Sequence, residues 1–290
     1  MLPNFIKLTE DVHSQLALSD EADKIFDTVI KSIIKVVKNP EKFNEVFKYG
    51  KDLTNKYGLL VDPTLYKDIN PINTKKLKIY LAKRDNFDIG TNAIYAHNFD
   101  KSGAHHNIVL YVISKEAKTE EDIIKSLSNI LKSSAKLRGA FTHEYTHLND
   151  NMRYKNKNIK DNEFERPYSD DIFDEMEAGN LQKYFETNYE FNAFMMDGLN
   201  QMKRQILRGA EHINMLSPEK RNKFIEITKQ DLPLHPTQES IKMLISRFWK
   251  SDFIEAIGKN PKLKKKVVKR IINAYEVLVP VLYDALKTYE

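Results

Sequence analysis

The sequence contains no cysteine. That absence excludes disulfides, thiolate metal sites and a cysteine nucleophile together, so any metal must be held by imidazole and carboxylate groups. It leaves the compartment open, because reducing and oxidising environments both tolerate it. No apolar run approaches the ~20 residues needed to span a bilayer, and the stretch from Met1 to Lys7 lacks the long apolar segment of a signal peptide. Neither a membrane partner nor secretion is expected. An excess of one charge is missing too. The 46 basic and 41 acidic residues leave a formal charge of +5, which permits weak attraction to acidic partners and gives no strong expectation of nucleic acid. Ser/Gly linkers, internal repeats and low-complexity blocks are absent, so no domain boundary marks itself.

What is present describes a folded chain. Hydrophobic residues make up 41% and charged residues 30%, with 15 Phe and 14 Tyr, enough for a real core over 290 residues. Ile25, Phe26, Val29, Ile30, Ile33, Ile34 and Val37 recur at helical spacing, with Ser19 and Asp20 as candidate caps and Asn39-Pro40 as the stop. A second helix is expected from Glu41 to Tyr57, ended by Gly58. The periodicity then shortens. Leu77–Ala82, Asn92–Ala96 and Asn107–Ile113 read as strands of a small sheet. Helix returns at Thr119, where Glu120, Glu121 and Asp122 complement the helix dipole, and a break near Ser133-Ser134 precedes the next helix, about Ala135 to Met152. The polar stretch Tyr154 to Asp171, with Pro167, reads as a loop; further helices are expected near 172–208, 218–230, 237–257 and 262–288. The expected fold class is α+β and predominantly helical. The expected parts are an N-terminal helical region (1–58), a core (59–210) and a C-terminal helical region (211–290).

The helix from about Ala135 carries His143-Glu144-Tyr145-Thr146-His147. Residues four apart lie on one helix face, so His143 and His147 can present two imidazoles to one metal ion. Glu144 lies about 100° round the helix, where it reaches a metal-bound water as general base without joining the ligands. Zinc lowers the pKa of such a water toward about 7, and a carboxylate can take its proton and return it to a leaving amine. This chemistry suits peptide hydrolysis. Imidazole and carboxylate also favour zinc over magnesium or calcium. With 8 His in the chain, chance delivers the pattern about 0.02 times per sequence of this length, so an ordinary polar turn of helix is the weaker reading.

A catalytic zinc needs a third protein ligand and an open position. A His ten residues after His143 would supply one, but Arg153 stands there and cannot ligate. Glu190 is the first candidate, within Tyr189-Glu190-Phe191-Asn192-Ala193 and flanked by the packing residues Tyr184, Phe185, Phe194 and Met195; small Ala193 would let this helix approach a neighbour. Glu186 is the next. Asp150, one turn beyond His147, could fix the tautomer of a ligand imidazole or ligate directly. His105 and His106 precede a strand that, were it an exposed edge, could pair with an extended peptide; a surface turn is the simpler reading. Tyr184, Tyr189, Tyr154 and His212 are candidate hydrogen-bond donors to a transition state. Lys262, Lys264, Lys265, Lys266, Lys269 and Arg270 form a basic run that reads first as a solvated face. Its alternative is contact with an acidic partner or nucleic acid. Val267, Val268, Ile271, Ile272, Tyr275 and Leu278 read as core, as does Trp249 with Phe248 and Phe253.

Residues 143–147, followed some forty residues later by Glu190-Phe-Asn-Ala193, resemble the zincin metallopeptidases, in the branch whose third ligand is a glutamate on a later helix. The resemblance covers about 90 residues of the chain. It implies a small twisted sheet beside an active-site helix with a mostly helical second lobe, Zn2+ bound by His143, His147 and Glu190, and water activated by Glu144. The branch's better-known forms carry Asn before the glutamate or Asp four residues after it; Tyr189 and Phe194 stand here. The cysteine-free, Lys/Asn/Ile-rich character is similar to that of peptidases encoded by phages and AT-rich bacteria. The expected function is therefore zinc-dependent hydrolysis of a protein or peptide substrate, in a cytoplasmic or virion-associated setting. The alternative is a zinc-binding structural or virion-assembly protein with little turnover, working within a larger assembly.

Overall fold

The structure is a computed structural model, and it describes residues 12–51, 57–70, 74, 76–83, 93–100, 103–132, 134–155 and 188–289. The chain divides into two compact units, Leu18–Glu163 and Met1–Ala17 with Phe164–Glu290. The architecture is mostly helical with one mixed five-stranded sheet, as the α+β reading expected.

Helix α1 (Val12–Lys38) buries Ala22, Ile25, Phe26, Val29, Ile33 and Val36 along one face and ends with Lys35 and Lys38 in its last turn, where cations complement the dipole. Ser19 is buried inside this helix and is no cap. The helix expected from Glu41 to Tyr57 is not there. A 3-10 turn (Pro40–Lys42) and a single helical turn α2 (Phe43–Val46) give way to strands β1 (Phe47–Lys51) and β2 (Tyr57–Val61), paired antiparallel from Phe47↔Val61 to Lys51↔Tyr57. Phe43, Val46 and Phe47 satisfy helical spacing, but Phe47 and Tyr49 are good strand residues and the ladder with β2 decides between the two. Gly58 is a packing glycine rather than a helix stop. A Cβ there would lie 3.1 Å from the Leu81 carbonyl oxygen on the neighbouring strand.

Strands β3 (Leu77–Lys83), β4 (Ala93–Asp100) and β5 (Gly103–Ile113) complete the sheet in the order β1-β2-β3-β5-β4. The β3–β5 pair is parallel and the others are antiparallel. Tyr80, Ala82, Val109 and Tyr111 form a buried cluster, while Ile79, Leu81, Ile108 and Leu110, which alternate with them, are buried on the opposite face. Both faces of the central strands are thus covered, which explains why β3 and β5 read as near-continuous apolar runs.

Helix α3 (Glu120–Leu131) starts at a capping box. The Thr119 hydroxyl accepts from the Asp122 backbone N–H, and the Asp122 carboxylate accepts from the N–H groups of Lys118 and Thr119 at 2.9 and 3.0 Å. These bonds, led by that from Lys118, hold the Asp122 carboxyl below its ordinary range. The long helix α4 (Ser134–Lys155) packs on β4 and β5.

In the other unit, α5 (Asn188–His212), α6 (Pro218–Asp231), α7 (Gln238–Phe248), α8 (Ser251–Gly258) and α9 (Pro261–Lys287) form a helical array. The single helix expected over 237–257 is two. Trp249 adopts an extended backbone after α7, and its buried indole lies against α5 at Gly198, where a Cβ would come within 2.1 Å of the ring. Packing of the one tryptophan against that glycine breaks the helix. Val267, Ile271, Tyr275 and Leu278 on α9 are buried as expected, with Val268 and Ile272 half-buried beside them. Among the described residues, no helix is long and apolar enough to cross a membrane.

Candidate metal centre

Helix α4 is held in register by α1. Arg138 pairs with Asp23 at 2.9 Å and with Asp27, and its guanidinium lies 4.6 Å from the centroid of Phe26. Phe26 packs on Phe141 with centroids 5.6 Å apart, and the Tyr145 hydroxyl donates to Glu21 at 3.2 Å. Glu21 also accepts from Asn70 at 2.8 Å. Phe141, Tyr145 and Leu148, the apolar positions of the motif segment, are fully buried.

From Phe141 to Asn151 every residue is buried except His143 and Glu144, which are half-exposed. A polar stretch is therefore taken into the interior with Thr142, Thr146, His147, Asn149, Asp150 and Asn151 all enclosed. Burying such groups costs free energy unless each finds a hydrogen bond or a metal. His143 and Glu144 are the two side chains of this stretch that reach solvent.

The rings of His143 and His147 stand edge to face with centroids 4.7 Å apart, as one helical turn requires. Glu190, in the first turn of α5, is 3% exposed, and His147 is 2% exposed. One ligand atom each from His143, His147 and Glu190 all lie within 4.8 Å of one another. Zinc–nitrogen and zinc–oxygen bonds of about 2.1 Å would put tetrahedral ligand atoms about 3.4 Å apart, and the spacing of this group is of that order. Two imidazoles and one carboxylate are a nitrogen and oxygen donor set of the kind that zinc accepts.

Asp150, 4% exposed on the same helix, is not a member of this group. Glu186 and Tyr184 lie outside the described residues, as does most of the stretch read as a loop from Tyr154 to Asp171 and of the helix expected from 172. Tyr154 and Tyr189 fall within α4 and α5, with side chains outside the description. His212 is exposed at the end of α5.

His105 and His106 require correction. They stand inside β5, not in a surface turn before it, and His106 is 1% exposed. Nor is β5 an edge, since β3 and β4 flank it; among the described residues β4 is the outer strand on that side. A run of apolar residues C-terminal to the pair made the strand look shorter than it is. The pairing of His106 with Leu77 and with His97 extends it.

A polar network beside the motif was not visible in the sequence. The Asn151 side-chain amide donates to the Tyr95 hydroxyl at 3.1 Å, and that hydroxyl lies 2.7 Å from Nδ1 of His106. Tyr95, on β4, also stacks on His97 and His106 with centroids 5.7 and 6.0 Å away. Burial raises the Tyr95 phenol above its ordinary pKa, and the Asn151 bond only partly offsets this. Asn151 is one turn beyond His147, and that spacing was the only signal; its partner Tyr95 is more than fifty residues away.

In comparisons with protein-family models, curated proteins and solved structures, nothing matches the chain.

Proposed function

We propose that this chain is a zinc-dependent peptidase in which His143, His147 and Glu190 hold the ion and Glu144 is the general base. The observation that carries the reading is the approach of three ligand atoms to within 4.8 Å, two of them from the His-Glu-x-x-His segment. When bound, zinc supplies a Lewis acid that polarises the scissile carbonyl and acidifies water. The imidazoles of His143 and His147 bind as neutral donors. Glu144, next to His143 and half-exposed, takes a proton from the attacking water and passes it to the departing amine. Asp150, buried one turn beyond His147, orients a ligand imidazole by accepting from its distal N–H. An extended peptide adds to the outer edge of β4, the strand against which α4 packs, and its backbone there gains ladder hydrogen bonds.

Zinc analysis together with a peptide-cleavage assay tests this reading. Wild type should carry one zinc per chain. Glu144→Gln should keep the zinc and lose about 10²–10⁴-fold in kcat. Glu190→Ala should lose the zinc. Zinc in both wild type and Glu144→Gln with cleavage in neither would replace the peptidase by a structural or assembly protein. A wild-type chain that binds no zinc would end both readings.

A further inference from the structure

The first turns of α9 carry Lys262, Lys264, Lys265, Lys266, Lys269 and Arg270, and no acidic residue occurs on this helix before Glu276. Four of these lysines, Arg270 and Asn273 line a cavity of about 240 Å³. The reading as a solvated face describes Lys262, Lys265 and Lys269, which are exposed, but not Arg270, which is 3% exposed. Arg270 directs both terminal nitrogens to the Asn192 side-chain oxygen at 3.1 Å and lies 5.3 Å from the centroid of Phe191. Lys266 lies over the same ring at 4.9 Å. The floor of the cavity is thus a guanidinium held by Asn192 and an ammonium over a buried aromatic, and its rim is the exposed ammonium groups of Lys262, Lys265 and Lys269.

Nothing in the folding of the helix favours this arrangement. Cations at a helix N-terminus oppose the macrodipole, and the like-charged pairs Lys262/Lys266, Lys265/Lys269 and Lys266/Arg270, each four apart, repel along the helix. Among the described residues Lys262, Lys265 and Lys269 have no acidic partner, whereas nearby Lys259 pairs with Glu255 at 2.9 Å. An external anion would relieve the repulsion between Lys265 and Lys269 and neutralise exposed Lys262.

We propose that this cavity binds consecutive phosphate groups. Several lysines on successive turns, rising about 10 Å from Lys262 to Lys269, can each meet a phosphate oxygen with a charge-assisted hydrogen bond. The volume lies below the roughly 300–1,000 Å³ of pockets that enclose drug-sized ligands. Phe191 is buried and offers no face for a base to stack upon. Both facts select the phosphates themselves, whether free as a short polyphosphate or strung along a nucleic-acid backbone, and leave bases unread.

Calorimetric titration of the full chain with sodium tripolyphosphate, at about 50 and about 200 mM salt, tests the proposal. Saturable binding that weakens with salt is expected. Lys269→Glu should weaken it about tenfold or more and flatten the salt dependence by about one unit of slope. Lys264→Glu makes the same charge change on the same helix but outside the cavity, and should retain most of the affinity. Any chelation of metal by the probe is common to both variants and cancels. A matched titration with oligodeoxythymidylate distinguishes the sources: tighter binding than tripolyphosphate assigns a nucleic-acid backbone, weaker binding a free polyphosphate. No saturable binding, equal losses in the two variants, or equal affinity for an oligoglutamate peptide would overturn the proposal. None of these outcomes depends on the zinc site or on cleavage.

Discussion

Helices α4 and α9 are both long, and they differ in how much polar surface they bury. In α9 the enclosed positions run Val267, Ile271, Ala274, Tyr275, Leu278, Val279, Leu282 and Leu286, an apolar stripe with Arg270 its one buried charged residue. In α4 the enclosed positions include Thr142, Thr146, His147, Asn149, Asp150 and Asn151 beside Phe141, Tyr145 and Leu148. Packing alone would fill that space with aliphatic side chains, which need no partners. The contrast separates a helix whose interior needs no polar partners from one whose buried side chains each need one. It also explains why the two differ in legibility: a stripe announces itself by its period, whereas a polar helix in the interior looks like a surface helix.

Substitutions on the two helices should therefore fail differently. The largest effect on stability is expected from Ile271→Ala, which empties a fully buried site on α9. Denaturant unfolding should show a loss of about 2–5 kcal/mol, with zinc content of the folded fraction unchanged. Loss of zinc without loss of stability would erase the distinction between the helices.

A smaller effect follows at the α4 contact. Tyr95→Phe removes the hydroxyl between Asn151 and His106 and should cost about 1–3 kcal/mol near neutral pH, because buried partners are left without their bond. The folded-state pKa of this phenol is raised, so its contribution is intact below the unfolded value of about 10 and is lost as pH rises through the folded value. Wild-type and variant stabilities should converge above about pH 10. A gap that widens there would contradict the raised pKa.

The smallest effect is expected at the start of α3. The Asp122 carboxyl is held low by the N–H groups of Lys118 and Thr119. Its contribution is complete above the unfolded value of about 3.9 and disappears as pH falls through the lower folded value. Asp122→Asn should lower Tm slightly at neutral pH, with the difference closing on acidification. A difference that persists below that range would show that the cap acts through something other than the carboxylate charge.

Several features were legible because they are local. The helix start at Thr119 needs only the three acidic residues that follow it, and the strand from Leu77 declared itself by composition. Others failed because a distant segment decided them. Phe43 to Tyr57 carries helical spacing, yet the ladder to β2 draws Phe47–Lys51 into a strand. Residues 237–257 look continuous until the fit of Trp249 against Gly198 breaks them. His106 looked like a turn residue because its strand partners, Leu77 and His97, lie elsewhere in the sequence.

The sequence by itself determined that His143 and His147 share a helix face with Glu144 beside them, since the pitch of an α-helix makes four-residue spacing a spatial fact. It also determined, through the absence of cysteine, that any metal here meets only nitrogen and oxygen donors. Only the tertiary structure decided that a glutamate more than forty residues downstream lies within 4.8 Å of those imidazoles. It alone decided that β4, not β5, is the outer strand beside them and that Tyr95 reaches Asn151. The reason is range: backbone geometry acts over a turn of helix, whereas burial and pairing act between segments whose meeting no local spacing records.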